Sequence, residues 1–154
     1  KEVGGYNMIA LGADHGGFLL KEAIKAYLEQ ENIAYHDFGT YSEDSVDYAP
    51  IAEQVAHAVA NGEAEKGILC CGTGIGISIA ANKVKGAYAA CIHDVYQAQR
   101  AQLSNHANII TMGSQVIGIE LAKQLVKEYL SVEWDPNCRS VAKVQRIIDF
   151  ENEE

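Results

Sequence analysis

A cysteine followed at once by a glycine-rich turn is the most chemically suggestive feature of this 154-residue sequence. Residues 67–83 read GILCCGTGIGISIAANK, in which Cys71 ends an apolar run and Gly72, Gly74 and Gly76 follow it. The pattern predicts a buried strand, a turn and a helix, whose first N–H groups lack partners within the helix and can bind an anion. A thiol beside such a terminus ionises more readily than a free thiol. A base next to an oxyanion site suits proton abstraction beside a carbonyl, through an enolate-like intermediate.

Other interpretations of this turn stay open. Its Gly-x-Gly-x-Gly spacing matches neither the Gly-x-Gly-x-x-Gly motif of dinucleotide-binding folds nor a Walker A loop. A dinucleotide site keeps some support, because Asp94 follows about 20 residues later, at the spacing of the acidic residue that binds the ribose in such folds. The glycines can also serve tight packing alone, and Cys71 can be an inert core residue, as we expect of Cys70. Alternation along the strand places the two cysteine side chains on opposite faces or ends, and Cys71, next to the turn, is better placed for chemistry.

Composition narrows the classes of partner. The chain carries 21 acidic and 12 basic side chains, a formal net charge of −9, with no basic stripe and no apolar run of membrane-spanning length. We therefore expect neither a nucleic acid nor a membrane as partner. A phosphate-bearing ligand would depend on a few local cations. Arg139 and Lys143 are four residues apart and therefore lie on one face of a predicted helix. Their side chains are either simply exposed to solvent or bind one anion together.

Cysteine usage predicts a reducing compartment. The four cysteines form neither a disulfide framework nor a zinc-binding pattern with the histidines. We therefore expect reduced thiols in a cytoplasmic protein.

Strand and helix patterns alternate along the chain, which predicts a three-layer α/β/α sandwich around a parallel sheet. The predicted strands are residues 8–13, 33–38, 67–71, 87–92 and 109–112. The predicted helices are residues 18–31, 47–60, 75–83, 95–103, 118–130 and 139–150. Residues 8–150 are expected to form one domain, and residues 1–7 a tail or an expression remnant.

Four segments rich in polar side chains and glycine follow predicted strands, where open parallel sheets bind ligands. They are residues 14–17, 39–40, 71–74 and 93–94. We expect them to converge on one site. Within them, Asp14 and His15 are read either as an Asx-capped turn or as functional groups.

Together these segments resemble the ribose-5-phosphate isomerase B family, which also contains galactose-6-phosphate isomerase subunits. The resemblance spans residues 8–150 and rests on residues 12–18, 37–40, 46–48, 67–83, 105–113 and the stretch from Arg139. It implies a Rossmann-like, five-stranded parallel sheet and an isomerase without metal or cofactor, acting on sugar phosphates through a cis-enediolate. The expected pair is ribose 5-phosphate and ribulose 5-phosphate, of the pentose phosphate pathway.

Alternatives to that function stay open. They are an isomerase of allose or galactose 6-phosphate, a non-catalytic module that binds phosphate or a nucleotide, and an inactive partner subunit. The resemblance also implies a homodimer or a dimer of dimers, in which each active site contains residues of both subunits.

The resemblance assigns roles to individual residues. Cys71 is the base that moves the proton between C1 and C2, the turn amides hold the enediolate oxygen, and Thr73 assists ring opening. The implied substrate contacts are Asp14, His15, Tyr48, Gly72, Gly74, Gly76, Asn105, Arg139 and Lys143.

The sequence departs from the family's pattern at three positions. Ser104 stands where members that open the furanose ring often carry a histidine. Either Ser104 opens the ring or polarises its oxygen, or another group takes over, and His106 could do so only in a shifted loop. Gln115 and Lys143 stand where some members carry arginine, which weakens the expected phosphate clamp. We expect these departures to affect the substrate's length and stereochemistry rather than the class of reaction.

Overall fold

The computed structural model describes residues 8–153 and contains, within that range, five strands and six helices. The strands are β1 Ile9–Ala13, β2 Tyr35–Asp37, β3 Lys66–Cys71, β4 Ala89–Cys91 and β5 Ile109–Gly113. The helices are α1 Phe18–Gln30, α2 Tyr48–Ala60, α3 Ile75–Ala81, α4 Val95–Leu103, α5 Ile119–Ser131 and α6 Val141–Asn152. All neighbouring strands are parallel, in the order β2-β1-β3-β5-β4, which confirms the predicted α/β fold. The predicted tail, residues 1–7, lies outside the described residues.

Two apolar clusters cover the two faces of the sheet. One joins the sheet to α1, α4 and α5, and the other joins it to α2 and α3. Cys70 belongs to the first cluster and Cys71 to the second, so the two side chains lie on opposite faces, as strand alternation predicts. None of the described helices is long and apolar enough to span a membrane.

Element ends differ from the predicted ones by up to two residues, and polar side chains explain one difference. The helix predicted to reach residue 83 ends at Ala81. The next residue, Asn82, accepts from the N–H of Ala89 at 2.8 Å and donates to its C=O at 2.9 Å. This paired contact ends α3 and fixes the start of β4 two residues later than predicted.

The strand order creates a switch point between β1 and β3. The chain leaves β1 for β2 on one side and returns to β3 on the other side of β1. Open α/β sheets bind ligands in the crevice at the carboxyl ends of such strands. Asp14 directly follows β1, and Cys71 is the last residue of β3, so the fold places both at this crevice.

Candidate active site

The loop that follows β1 contacts strand β3 and the segment that follows β5. The N–H of Asp14 donates to the carbonyl of Cys70 at 3.3 Å, and the Ser114 hydroxyl donates to the carbonyl of Gly16 at 2.6 Å. Gly17 packs so closely on β3 that an added Cβ would lie 2.3 Å from the carbonyl oxygen of Cys70. This close approach requires glycine and holds Asp14 beside the Cys71 turn.

The segment after β2 lies at the same end of the sheet, at the carboxyl end of β1. The N–H of Ala13 donates to the carbonyl of Gly39 at 2.7 Å, and the N–H of Thr40 donates to the carbonyl of Ala13 at 2.6 Å. Buried Lys21 binds the carbonyl of Thr40 at 2.8 Å and the carboxylate of Asp37 at 2.6 Å. Burial alone would raise the pKa of Asp37, but hydrogen bonds from Lys21 and from a backbone N–H outweigh it and lower the pKa.

Cys71 lies at the carboxyl end of the central strand, β3, with its sulfur against the glycine turn. The N–H of Gly74 donates to the Cys71 Sγ at 3.1 Å, and a donor of this kind stabilises a thiolate. Gly74 has a φ of +79°, and a Cβ there would lie 2.8 Å from the carbonyl carbon of Met112, so the turn needs glycine. Burial strongly raises the pKa of the neighbouring Cys70 thiol, which therefore stays protonated.

Thr73 lies on the exposed side of the same turn. Its hydroxyl accepts from the N–H of Ile75 at 3.2 Å. Two of the turn's N–H groups, those of Gly74 and Ile75, thus already bind side chains of the turn. An oxyanion would therefore be held by the others.

Tyr48 lies against the start of α3, and His15 contacts the segment just before Tyr48. The N–H and the C=O of Val46 lie 3.1 and 3.2 Å from His15 Nδ1, so Nε2 is the ring nitrogen left for a ligand. A Cβ added to Gly76 would lie 2.5 Å from the Tyr48 hydroxyl oxygen, which shows that this tyrosine covers the first turn of α3. Asp14 thus lies beside β3, His15 follows it in the same loop, and Tyr48 lies over the turn after Cys71; their roles as substrate contacts stay predictions.

His93, in the predicted segment of residues 93–94, binds the end of β5 beside the turn. Its Nε2 accepts from the N–H of Gly113 at 2.9 Å. Gly113 in turn packs against Thr73, because a Cβ there would lie 2.5 Å from the Thr73 carbonyl carbon. Burial lowers the pKa of His93, which favours the neutral ring that this contact needs.

This contact predicts a pH-dependent contribution to stability. Because the folded-state pKa of His93 lies below the ordinary value, the unfolded chain takes up the proton first as pH falls. The stabilisation is therefore present above about pH 6.5 and is lost as pH falls through the folded-state pKa. We expect His93→Gln to lower the free energy of unfolding by about 1 kcal/mol at pH 7.5 and by less at pH 5.5.

Urea unfolding at both pH values, with exposed His57→Gln as a matched control, checks this prediction. A difference between wild type and His93→Gln that stays constant with pH would contradict it.

The remaining predicted site residues lie away from Cys71 in the fold. Ser104 and Asn105 follow α4 and precede β5, so they lie at the amino end of the sheet, opposite Cys71. They line a cleft of about 650 Å³ between α4 and α6, together with Arg139 and Lys143. We call this space the cation cleft. Its full lining is Tyr96, Arg100, Ser104, Asn105, Arg139, Ser140, Lys143, Val144 and Ile147.

Arg100 is a feature of the cation cleft that the sequence analysis missed. Its Nε donates to the Ser104 Oγ at 2.5 Å, across one turn of α4. The i, i+4 spacing of the two residues is the signal that could have revealed the pair. His106 stacks on Trp134 with ring centroids 4.7 Å apart and is not among the residues that line the cleft.

The chain and its fold are similar to known isomerases. The sequence model of the Ribose/Galactose Isomerase family matches residues 9–147. The chain is 46% identical to D-erythrulose-4-phosphate isomerase 2 of Mycolicibacterium smegmatis, over 93% of this chain and 96% of that protein. It is also 46% identical to ribose-5-phosphate isomerase B of Escherichia coli, over 82% and 85% of the two chains.

Solved structures agree with these sequence matches. Ribose-5-phosphate isomerase B of Clostridium thermocellum has a TM-score of 0.92 at 41% identity, covering 95% of this chain and 98% of that one. The enzyme of Mycoplasma genitalium, solved with bound ribulose-5-phosphate, has a TM-score of 0.89 at 31% identity, covering 96% and 97%.

Proposed function

Because the chain belongs to the ribose/galactose isomerase family and is a sugar-phosphate isomerase, we propose that Cys71 is its catalytic base. The observation that carries the proposal is the 3.1 Å hydrogen bond from the Gly74 N–H to the Cys71 sulfur, at the crevice between β1 and β3. A thiolate held in this way can take a proton from a carbon beside a carbonyl. The neighbouring cysteine, Cys70, is excluded because it is fully buried on the other face.

The proposed reaction moves one proton between two carbons. The Cys71 thiolate removes the proton on C2 of the open-chain aldose, and the electron pair forms the C1–C2 double bond while O1 becomes an oxyanion. The O2 hydroxyl proton passes to O1, the thiol returns its proton to C1, and C2 becomes the carbonyl. The N–H groups of Gly72, Thr73 and Gly76 would hold the enediolate oxygen.

Other residues at this edge would position the sugar. One carboxylate oxygen of Asp14 accepts from the Gly17 N–H at 3.0 Å, and the other would accept from a sugar hydroxyl. The Thr73 hydroxyl would assist ring opening, and Tyr48 would line the pocket. His15 would bind the substrate phosphate through Nε2, which carries no contact to Val46.

Ribose 5-phosphate and ribulose 5-phosphate are the first candidate pair. Two comparisons support this choice: the 46% identity to the Escherichia coli enzyme, and the fold shared with an enzyme solved with ribulose-5-phosphate. With ribose 5-phosphate or ribulose 5-phosphate bound, Asn105 would contact the oxygens of the sugar. Arg139 and Lys143 would bind its phosphate.

A four-carbon sugar phosphate is a second candidate, favoured by the state of Ser104. The Ser104 Oγ already accepts a hydrogen bond from Arg100, and His106 is stacked on Trp134. An aldotetrose 4-phosphate carries its phosphate on O4, so it cannot close a furanose ring and needs no group to open one. The relative in Mycolicibacterium smegmatis is named for a substrate of this size.

We also propose that the active site forms between two subunits of a homodimer, or of a dimer of dimers. Within one chain, Cys71 and the cation cleft lie at opposite ends of the sheet. Two-fold symmetry would bring the cleft of one subunit to the turn of the other.

The chain would be one catalytic domain in a reducing compartment. Residues 8–150 would act as one catalytic domain, since the sheet and the helices that cover it lie within them. A cytoplasmic location would suit the four cysteines, all of which are free thiols.

A direct assay tests the proposed function. D-Ribose 5-phosphate, D-erythrose 4-phosphate and D-galactose 6-phosphate are each incubated with the purified chain in EDTA, and ketose formation is measured. We expect turnover of at least one of the two shorter sugars. Turnover of galactose 6-phosphate alone would keep the mechanism and change the substrate, whereas folded protein without activity on any of them would contradict the proposal.

A further inference from the structure

The cation cleft contains a cation that the mechanism above does not use. We propose that Arg100 is a third contact for the substrate phosphate and that Ser104 holds it in position. The inference rests on the proposed function, because it assigns a role within the same sugar-phosphate site.

Geometry shows how Arg100 is held. Its Nε donates to the Ser104 Oγ at 2.5 Å, and its carbonyl accepts from the Ser104 N–H at 2.8 Å. A guanidinium has five N–H donors, of which this side-chain bond uses one. The two terminal nitrogens of the fork remain, and this is the arrangement that binds two phosphate oxygens at once. Ser104 therefore fixes the side chain without using the atoms that recognise a phosphate.

Charge in the cleft points to an anionic ligand. The lining contains Arg100, Arg139 and Lys143 and, among the residues that the structure describes, no carboxylate. This is unusual in a chain of net charge −9 that has only three arginines. The third, Arg146, pairs with Glu153 at 2.9 Å, whereas within residues 8–153 Arg100 pairs with no carboxylate. Three cations that repel one another are best stabilised by a multiply charged anion such as a phosphate monoester.

The pair also changes the expected role of Ser104. Its oxygen accepts from a cation, so it acts on the substrate through Arg100 and is a positioning residue. Arg100 then supplies the positive charge that Gln115 lacks and the two-pronged donor geometry that Lys143 lacks. A site that uses this position for phosphate binding suits a sugar that arrives in its open-chain form.

Kinetics of substituted enzymes test the role of Arg100. We expect Arg100→Leu to raise the KM for ribose 5-phosphate and for erythrose 4-phosphate by about 10- to 100-fold, with kcat changed by less than about threefold. The inhibition constant of inorganic phosphate should rise by the same factor. Arg100→Lys should recover part of the loss, because it keeps the charge but not the fork.

Arg146→Leu is the matched control, since it removes the same charge from exposed α6 and should leave KM unchanged. If Arg100→Leu and Arg146→Leu have the same KM and phosphate inhibition constant, the proposal is overturned. Thermal denaturation separates this outcome from failure of the proposed function. Inorganic phosphate should raise the Tm of wild type more than that of Arg100→Leu, whether or not any sugar is turned over.

Ser104→Ala tests the positioning role. We expect a higher KM for both sugars and no further change when Ser104→Ala is added to Arg100→Leu, because the serine acts through the arginine. If Ser104 instead opened the sugar ring, Ser104→Ala would lower kcat for ribose 5-phosphate alone. That result, or additive effects in the double variant, would overturn the assignment.

Discussion

Cys71→Ala is expected to abolish isomerisation while the protein stays folded and still binds sugar phosphate. A positioned general base contributes about 10²–10⁴-fold to a rate. The other thiol beside the turn, Cys91, donates to the Thr73 carbonyl at 3.9 Å, whereas Cys71 accepts from a turn N–H, so Cys91 cannot take over its role. We therefore expect kcat to fall by about 10²–10⁴-fold. Exchange of the C2 proton with deuterated solvent, followed by NMR, should be lost together with turnover.

Cys70→Ala provides a matched control for this result. The two cysteines are adjacent, but Cys70 lies in the apolar cluster on the opposite face and is fully buried. Its replacement removes a thiol from the core and should lower the free energy of unfolding by about 1 kcal/mol without changing kcat more than a few-fold. A Cys71→Ala enzyme within tenfold of wild type would exclude the thiolate mechanism and favour a binding module.

Much of the fold could be predicted because each layer is encoded locally. The apolar runs and helical spacing locate the eleven elements found within residues 8–153, and strand alternation alone separates Cys70 from Cys71. The crevice site follows in the same way, since Asp14 and Cys71 each lie at the carboxyl end of a strand. These patterns predict the order and direction of the elements, and that is enough to locate a site at the carboxyl ends of the strands.

Contacts between side chains from different elements could not be predicted in the same way. The bond between His93 and the Gly113 N–H depends on β4 and β5 being neighbours, although α4 lies between them in the sequence. The stacking of His106 on Trp134 depends on how the segment after α5 returns to the loop before β5. Such pairs arise from packing, so neither partner's sequence neighbourhood reveals them.

The separation of the predicted site into two parts has a physical basis in the crossover helix. Helix α4 begins after the carboxyl end of β4 and ends before the amino end of β5. It therefore carries the chain from the carboxyl ends of the parallel strands back to their amino ends. Ser104 and Asn105 therefore cannot lie beside Cys71 of their own chain. The resemblance groups these residues in one site, and the fold separates them.

Mixing two inactive variants is expected to restore activity. Strand β5 has five residues, so the Cα atoms at its two ends lie about 13 Å apart. An extended pentose phosphate spans roughly 8 Å at bond lengths near 1.5 Å, too short to join the cation cleft to Cys71 within one chain. We expect Cys71→Ala and Arg139→Ala each to be inactive or strongly impaired, because each removes one half of every site.

In a heterodimer of the two variants, one shared site carries both substitutions and the other carries neither. Random pairing makes about half of the dimers mixed, each with one intact site, so a co-refolded mixture should regain about a quarter of wild-type activity. Heterodimers purified through two different affinity tags should reach about half. The Cys71→Ala, Arg139→Ala double variant mixed with itself is the control and should stay inactive. Purified heterodimers without recovered activity would mean that each site lies within one subunit, and the cation cleft would then need a ligand other than the isomerised sugar.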